Sequence, residues 1–353
     1  MFERTYALVD KFVQERHASA AVAVVGGPDY CCLHHCGHLA HFPQADPVEP
    51  DTVFDLASLT KVVATTTSVL ILLERGLLSL QSIVGSFFPN CPGDKRELTV
   101  QQLLTHTSGL PQVLIHKEVI SLEEAVSYIL SMDLAYRPGE QVLYSCLGFI
   151  LLGAIVEKCA GQALDAFCRA QIFEPLEMGD TCFNPPPEMQ TRAAYTEWCP
   201  QERVFIQGRV HDENSYGVGG VAGNAGLFST GPDLAKFCSM ILQDGALGQR
   251  KILNSQTVQL LFQDYTSHLG ESRTLGWMLK GRGACSGGDL ISPGSLGHTG
   301  FTGTSIWIDL KRKYYFILLT NRVHPSRSNE GILSFRPLFH NSAVCEIPER
   351  SRT

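Results

Sequence analysis

Residues 54–64 read FDLASLTKVVA, and this stretch separates two interpretations of the chain. Ser58 stands three positions before Lys61, and an apolar run follows. Side chains three residues apart lie on one face of a helix, so the hydroxyl and the amine can meet. Serine is also a favoured N-cap, and about one S-x-x-K match is expected by chance at this chain length. The stretch therefore predicts either a nucleophile with its base one turn away or only the start of a buried helix.

The catalytic interpretation depends on the beginning of that helix. Unpaired amide groups and partial positive charge there help to form the anion of Ser58 and lower the pKa of a nearby lysine. A desolvated, neutral Lys61 would accept the hydroxyl proton. Leu59, Val62 and Val63 would supply the dry surroundings. These features are expected to lower the pKa of Lys61.

Composition indicates a compact globular protein and argues against nucleic acid as a partner. Of the 353 residues, 44% are hydrophobic and 18% charged, the formal net charge is −7, and the 28 basic residues are scattered. Such a chain can bury a substantial core but presents no basic patch to nucleic acid or to an anionic membrane surface.

Two features of the sequence bear on location. Residues 1–17 carry charges of both signs and lack the pattern of a secretion signal. The longest apolar stretch, residues 62–73, is too short to cross a bilayer. We therefore expect no membrane span, and we expect the twelve cysteines to be mostly reduced thiols. The predicted location is cytoplasmic, or periplasmic if the protein is exported by a route that the sequence does not display.

Strand signals lie towards both ends of the chain, with helical signals between them. The predicted elements are a helix at 4–16, a strand at 20–25 with a hairpin partner at 30–39, a long helix from Ser58 to about Arg75 that Gly76 ends, helices at 121–130 and 147–161, a helix capped by Thr230, strands within 275–279, 304–310 and 314–320, and a terminal helix. This order favours an α+β fold in which an antiparallel β-sheet is flanked by helices and carries an inserted, mostly helical domain. The predicted boundaries are 1–65 for the first part of the α/β domain, 66–204 for the helical domain, 205–345 for the second part of the α/β domain and 346–353 for a C-terminal tail.

Further segments favour the catalytic interpretation. They are LLTHTSGLP (103–111), YSCLGFILLG (144–153), GVAGNAGLFSTGPDLAKF (220–237) and GHTGFTGTSIWIDL (297–310). Together with FDLASLTK they resemble the serine β-lactamase and penicillin-binding-protein superfamily, above all its class C-like branch, which includes esterases and low-molecular-weight D-alanyl-D-alanine carboxypeptidases. IQGRVHDENS (206–215) and LLTNRVHPS (318–326) are similar to the penicillin-binding protein 4B-like subgroup. The resemblance runs from about residue 5 to 335 and implies a β-lactamase/DD-peptidase-like fold.

The resemblance implies a role for each residue that matches a family motif. Ser58 matches the acylated nucleophile and Lys61 its partner base. Tyr144 matches the tyrosine of the second motif, Y-x-N, whose phenol passes a proton to the leaving group. His298, Thr299 and Gly300 lie where the third motif, usually K-T-G, borders the site on a strand. The oxyanion hole would then consist of the main-chain N–H groups of Ser58 and Phe301.

Two positions depart from the family pattern. Cys146 stands at the last position of the Y-x-N motif, where the family usually has asparagine or aspartate. The asparagine normally hydrogen-bonds substrate and lysine, and a thiol is a poor substitute. His298 stands in place of lysine and titrates near neutrality, so it offers no guaranteed positive charge to a substrate carboxylate. Esterase-like members also carry histidine there. Both changes weaken the case for efficient turnover of penicillin or D-Ala-D-Ala more than the case for acyl chemistry, and a purely structural role for Tyr144 stays open.

The segment CCLHHCGHLAH (31–41) has the composition of a metal site. On a strand, alternation puts Cys32, His34, Cys36 and His38 on one face. Such neighbours are about 7 Å apart along the strand, so one ion cannot easily gather all four. We therefore predict no metal site, and adventitious metal binding in vitro is favoured over structural zinc. The less favoured alternative is a metal-dependent protein built on residues 31–41, which would contain stoichiometric zinc.

Three other segments are assigned supporting roles. HTSGL (106–110) is expected to form a structural turn at the end of a helix, and HDEN (211–214) to border the substrate cleft. The glycine-rich stretch 217–226 lacks the lysine of a phosphate-binding loop and is interpreted as a tight loop close to the site.

The sequence therefore predicts a serine hydrolase that acts through a covalent acyl-enzyme without a cofactor. Its expected partner is a small-molecule or peptide acyl substrate, namely a D-alanyl peptide, a β-lactam or an ester, and the sequence does not indicate an oligomeric state. The alternative is a catalytically weakened penicillin-binding-like protein that binds a peptide or partner without efficient turnover.

Overall fold

A computed structural model describes residues 1–27, 30–42, 45–113, 120–281 and 283–348. The strands are β1 (Ala20–Gly26), β2 (Cys31–Gly37), β3 (Phe54–Asp55), β4 (Cys182–Phe183), β5 (Trp198–Cys199), β6 (Val204–Phe205), β7 (Leu227–Ser229), β8 (Ala246–Leu247), β9 (Arg250–Lys251), β10 (Met278–Leu279), β11 (Leu296–Thr299), β12 (Ser305–Asp309) and β13 (Tyr314–Thr320). The α-helices are α1 (Glu3–Gln14), α2 (Thr67–Glu74), α3 (Val84–Phe87), α4 (Gly93–Arg96), α5 (Val100–Leu104), α6 (Leu122–Ser131), α7 (Cys146–Ala160), α8 (Leu164–Cys168), α9 (Pro187–Gln190), α10 (Glu213–Gly217), α11 (Gly231–Leu242), α12 (Ser255–Leu260) and α13 (Gly331–Glu346). Tighter 3-10 turns occupy Ala57–Leu59 and Ser267–Leu269, and π-helical turns occupy Lys61–Thr66 and Arg169–Phe173.

The largest sheet joins the two ends of the chain. Its six strands lie in the order β10-β11-β12-β13-β1-β2, and every neighbouring pair is antiparallel. Strand β1 therefore lies between its hairpin partner β2 and the much later strand β13, with Val24 opposite Ile317. The predicted α+β class, an antiparallel sheet flanked by helices, is confirmed.

Helices cover both faces of this sheet, which explains why β1 has no polar alternation. All seven of its residues are buried. Ala21, Ala23 and Val25 pack with residues of α1 and α13, whereas Val22 and Val24 belong to the larger core that includes α11. A strand that is buried on both faces has a continuous apolar sequence. The 275–279 prediction was too long, because only Met278 and Leu279 pair with β11.

The helical segment that begins next to Ser58 runs through the core. It continues from Ala57 to Glu74 in 3-10, π and α turns, and Gly76 follows in the left-handed conformation at φ 68°, as expected of a helix stop. Its 18 residues have a mean hydropathy of 1.3, enough by length and composition to cross a membrane, but 83% of them are buried inside the protein. Helix α7 and the segment Leu164–Phe173 meet the same criteria only as a pair bent by 72°. Core helices also meet these criteria, so the expectation of no membrane span stays a prediction.

Helix α7 brings a second segment to Ser58. Residues 147–156 of this helix are all buried, which is typical of a helix that other elements surround. The glycine-rich loop crosses it so closely that a Cβ added at Gly223 would lie 2.0 Å from the carbonyl oxygen of Phe149. The start of α7, the glycine-rich loop and the end of β11 therefore meet at the beginning of the Ser58 helix. The sequence-derived domain boundaries stay predictions, and residues 349–353 of the C-terminal tail lie outside the described ranges.

Candidate active site

Ser58 lies in a tight turn between β3 and the core helical segment. The preceding residue, Ala57, has φ 48°, a left-handed conformation that costs a non-glycine residue about 1–3 kcal/mol. The buried carboxyl group of Asp55 holds this turn, because Oδ1 accepts a hydrogen bond from the Ala57 N–H at 2.8 Å and Oδ2 from the His211 N–H at 2.7 Å. Burial raises the pKa of Asp55, and these two hydrogen bonds oppose the rise. The turn presents the partly exposed Ser58 side chain to a cavity of about 680 Å³.

Lys61 lies beneath Ser58 and is completely buried. Its Nζ donates hydrogen bonds to Ser58 Oγ at 3.0 Å, to the Asn224 carbonyl oxygen at 2.9 Å and to Cys146 Sγ at 3.5 Å. A lysine ammonium has three N–H donors, so these three acceptors satisfy it. The nitrogen also lies 5.0 Å from the centre of the Tyr144 ring. The predicted contact between Ser58 and Lys61 is therefore present, and a π-helical turn, which is frequent at functional sites, begins at Lys61 itself.

The expectation of a lowered pKa at Lys61 is wrong. Burial lowers the pKa of Lys61, but the negative charges that Cys146 and Tyr144 acquire on deprotonation outweigh it, so the pKa is raised. Burial likewise raises the pKa of Tyr144, against the opposing charge of Lys61. The resting pair is therefore an ammonium next to a neutral phenol. One proton must leave this Lys61–Tyr144 pair before it can accept the proton of Ser58.

Tyr144 is positioned by the residues that precede α7. Its ring centre lies 5.0 Å from Lys61 Nζ, and Tyr144 and Ser58 line the same cavity, so the phenol is close to both the amine and the nucleophile. The next residue, Ser145, caps α7, and its main-chain N–H donates to His106 Nδ1 at 3.1 Å. The buried His106 ring packs 4.5 Å from the Tyr144 ring. His106 thus supports the second motif from the HTSGL turn, in agreement with the structural role expected of that segment.

His298 is a neutral side chain at the end of β11. Burial and the nearby positive charges of Lys61 and Arg273 hold its pKa well below the ordinary value. Its Nδ1 lies 3.0 Å from the Thr299 carbonyl oxygen, which can only accept, so Nδ1 carries the ring proton. His298 therefore supplies no positive charge to a substrate, as its replacement of lysine suggested. His298, Thr299 and Gly300 all line the cavity next to Ser58.

Two arginines hold the turn that contains Phe301. Arg322 Nε donates to the Phe301 carbonyl oxygen at 2.8 Å, and Arg336 Nη2 donates to the Gly300 carbonyl oxygen at 2.9 Å. No described residue accepts a hydrogen bond from the main-chain N–H of Ser58 or of Phe301. Both residues line the cavity, and the Phe301 side chain is 48% exposed at its mouth. The two-amide oxyanion hole derived from the motifs stays a prediction, and both of its residues lie at the same cavity.

Sequence reasoning missed Arg273 and the carbonyl group of Asn224. Arg273 lines the cavity with its guanidinium carbon 5.7 Å from the centre of the Tyr144 ring, and Nη2 pairs with Glu271 at 2.6 Å. Its Nε and Nη1 are buried and meet no acceptor among the described residues. The glycine-rich loop was correctly placed close to the site, but nothing in its sequence indicated that the Asn224 carbonyl would contact Lys61.

The remaining predicted segments lie as follows. His211, Asp212 and Glu213 line the cavity, so the HDEN segment borders it as expected. In the described part of the chain, the one group of three metal-ligating side chains close enough to share an ion is Asp10, His34 and Cys36, on α1 and β2.

Comparison with known proteins identifies the family. The β-lactamase family model matches residues 7–334. Over 315 residues the chain is 31% identical to the proposed D-alanyl-D-alanine carboxypeptidase of Salmonella enteritidis PT4, with 80% of this chain and 72% of that protein covered. The protein with the same name from Salmonella typhi shows the same identity and coverage.

Solved structures share the fold at lower sequence identity. EstCE1, a hydrolase with promiscuous acyltransferase activity, superposes with a TM-score of 0.80 at 19% identity, covering 97% of this chain and 98% of that one. Simvastatin synthase (LovD) from Aspergillus terreus gives 0.76 at 21% identity and 98% of both chains, and a class C β-lactamase from Rhodobacter sphaeroides gives 0.75 at 20%, covering 97% and 99%. The family model spans the Ser58–Lys61 pair, the start of α7 and the end of β11, and this chain accordingly belongs to the β-lactamase family of serine hydrolases.

Proposed function

We propose that the protein hydrolyses carboxylate-bearing acyl substrates through a covalent acyl-enzyme at Ser58. The observation that carries this proposal is the contact of 3.0 Å between Lys61 Nζ and Ser58 Oγ beneath an open cavity. A serine becomes an effective nucleophile when a group within hydrogen-bond reach can take its proton.

The proposed reaction proceeds in two halves. After the Lys61–Tyr144 pair has lost one proton, it accepts the hydroxyl proton while Ser58 Oγ attacks the substrate carbonyl carbon. The N–H groups of Ser58 and Phe301 stabilise the resulting oxyanion, an effect worth about 3–4 kcal/mol for one donor in comparable sites. Tyr144 then passes the proton to the leaving amine or alkoxide as the tetrahedral intermediate collapses. Water attacks the acyl-enzyme in the second half, and the carboxylic acid product and free Ser58 result.

The charges that line the cavity support an anionic substrate. Four of its described lining residues are arginines, Arg273, Arg322, Arg327 and Arg336, against three acidic residues, Asp212, Glu213 and Glu330. Arg327 pairs with Glu197 and Glu213 at 2.6 Å each, and Arg322 and Arg336 donate to main-chain carbonyls. Arg273 alone among these four keeps two buried nitrogen donors without an acceptor in the described chain.

A guanidinium with free donors pairs well with a carboxylate. D-alanyl peptides and penicillins both carry a carboxylate close to the bond that is cleaved. The first of these classes also agrees with the name of the Salmonella relatives. We therefore propose D-alanyl peptides or similarly anionic esters as the substrate class. In this proposal Arg273 supplies the positive charge that the neutral His298 does not.

Covalent labelling tests the proposed nucleophile. The wild-type protein is incubated with a fluorescent penicillin and, separately, with a fluorophosphonate, and the labelled peptide is identified by mass spectrometry. We expect labelling at Ser58, none in Ser58→Ala, and unchanged labelling in Ser334→Ala, which removes an exposed hydroxyl of α13. If neither reagent labels the folded wild-type protein, the non-catalytic alternative of a binding protein is correct instead.

The cytoplasmic location stays a prediction. All twelve cysteines are free. Free thiols are the state expected in a reducing compartment, which supports this assignment.

A further inference from the structure

Helix α1 packs against the edge strand β2, and three side chains with metal-binding atoms meet between them. His34 and Cys36 are two positions apart on β2, so their side chains are on the same face of the strand. Asp10 reaches this face from α1, where its Oδ1 lies 2.7 Å from His34 Nε2. One ligand atom each from Asp10, His34 and Cys36 all lie within 4.8 Å of one another.

Helix α1 supplies the third ligand, Asp10, to the two on strand β2. The backbone positions of residues two apart on a strand are about 7 Å apart, so two such side chains can converge on one ion, but a flat strand cannot bring all four of its candidate ligands to it. Here the side chains of His34 and Cys36 converge towards a third group on another element. Ligand atoms of a tetrahedral zinc ion with bonds of about 2.0–2.3 Å lie about 3.3–3.8 Å apart. Asp10 Oδ1 and His34 Nε2, now 2.7 Å apart, would separate slightly and the more distant atoms would approach, which side-chain rotation can provide.

We propose that Asp10, His34 and Cys36 bind one divalent transition-metal ion, with zinc as the best match. A thiolate, an imidazole and a carboxylate are the three zinc ligand types, whereas calcium and magnesium prefer oxygen alone. The Asp10 side chain is 40% exposed and that of His34 25%, so water can reach the fourth coordination position.

Neighbouring groups agree with this assignment. The Tyr6 ring stacks on His34 with centroids 4.7 Å apart and an interplanar angle of 13°, which fixes the imidazole plane. A metal ion binds the thiolate form of cysteine, so coordination by Cys36 would release the thiol proton.

The proposed metal is structural, because it lies far from Ser58. Strand β2 is one edge of the sheet, and β11, which carries His298, is four strands away. At about 4.8 Å per strand the separation is roughly 19 Å. A bound ion would fasten α1 to β2 and so protect an edge strand, which otherwise exposes unpaired backbone groups.

Cobalt substitution tests the site by a readout other than activity. The full-length protein is stripped with a chelator, dialysed and titrated with Co²⁺, followed by competition with Zn²⁺. We expect one equivalent of Co²⁺ with a thiolate-to-cobalt charge-transfer band, which Zn²⁺ abolishes. In Cys36→Ser the band should disappear, and zinc affinity should fall by about 100-fold or more, beyond the ~10–100-fold typical of losing an outer-shell partner. Cys31→Ser removes an exposed thiol of the same strand outside the cluster and should change neither quantity.

Two further variants keep the test decisive. Asp10→Asn and His34→Gln should each weaken zinc binding by at least about tenfold while the circular dichroism spectrum stays native. They replace Cys36→Ser as the test if that variant does not fold. The proposal is wrong if the wild-type protein binds no stoichiometric Co²⁺. It is equally wrong if the band survives changes in the cluster but disappears in Cys31→Ser, since the metal would then sit on surface thiols.

Discussion

Replacing Arg273 with glutamine tests how the cavity recognises a carboxylate. The Arg273 side chain is only 8% exposed, and Nη2 is committed to Glu271, whereas Nε and Nη1 find no acceptor among the described residues. A buried donor without a partner costs about 1–3 kcal/mol. A substrate carboxylate would remove that cost once ligand binding turns these donors towards the cavity that Arg273 lines.

The expected magnitude follows from this geometry. A hydrogen bond to a charged group contributes about 1.5–3 kcal/mol, and each 1.36 kcal/mol corresponds to a factor of ten in kcat/KM. Arg273→Gln should therefore lower kcat/KM by roughly 10- to 160-fold for a substrate with a terminal carboxylate. A substrate with the same acyl group but a neutral terminal amide should lose little, because it has no charge to pair.

The assay compares these two substrates in three proteins. The ratio of their kcat/KM values is measured in the wild type, in Arg273→Gln and in Arg169→Gln. Arg169 is an exposed arginine outside the cavity lining, so its replacement removes the same charge and should leave the ratio nearly unchanged. An equal loss for both substrates in Arg273→Gln would refute the reasoning, since it would show that Arg273 only supports the neighbouring Tyr144.

Three further predictions concern the nucleophile and its surroundings. The pKa values of Lys61 and Tyr144 are both raised, so the reactive pair that has lost one proton is scarce at neutral pH. The rate of acylation by a neutral ester should therefore increase from pH 7 to pH 9. A rate that already reaches its plateau below pH 7 would contradict this. Cys146→Asn replaces a thiol 3.5 Å from Lys61 Nζ with an amide that hydrogen-bonds better, so penicillin acylation should rise about 2- to 10-fold, and an unchanged rate would show that position 146 does not contact substrate. Gly223→Ala would place a Cβ 2.0 Å from the Phe149 carbonyl oxygen and so displace the glycine-rich loop. The free energy of unfolding in urea should fall by about 1–3 kcal/mol, and activity should fall with it. A variant with native stability and native activity would exclude that contact.

Local sequence determined the features that depend on neighbouring residues. Three residues amount to about one helical turn, here a tight 3-10 turn, so Ser58 and Lys61 lie on one face and a 3.0 Å contact results. The apolar run of β1 and the glycine after the core helix were recognised for the same reason, since strand burial and helix termination depend on a few adjacent side chains. The family motifs also identified Tyr144 and His298. These two residues are distant in sequence from Ser58, and only their positions within the motifs connect them with it.

Only the tertiary structure decided the charges and the contacts between distant segments. Lys61 meets Cys146 and Asn224 across 85 and 163 residues of chain, and Cys146 together with Tyr144 raises the pKa of Lys61, which a buried helix start was expected to lower. Asp10 reaches His34 from another element in the same way. Periodicity reports which face a residue occupies but not what packs against that face. The electrostatic energy of a buried group depends on every charge within a few ångströms, and those charges are known only once the chain has folded.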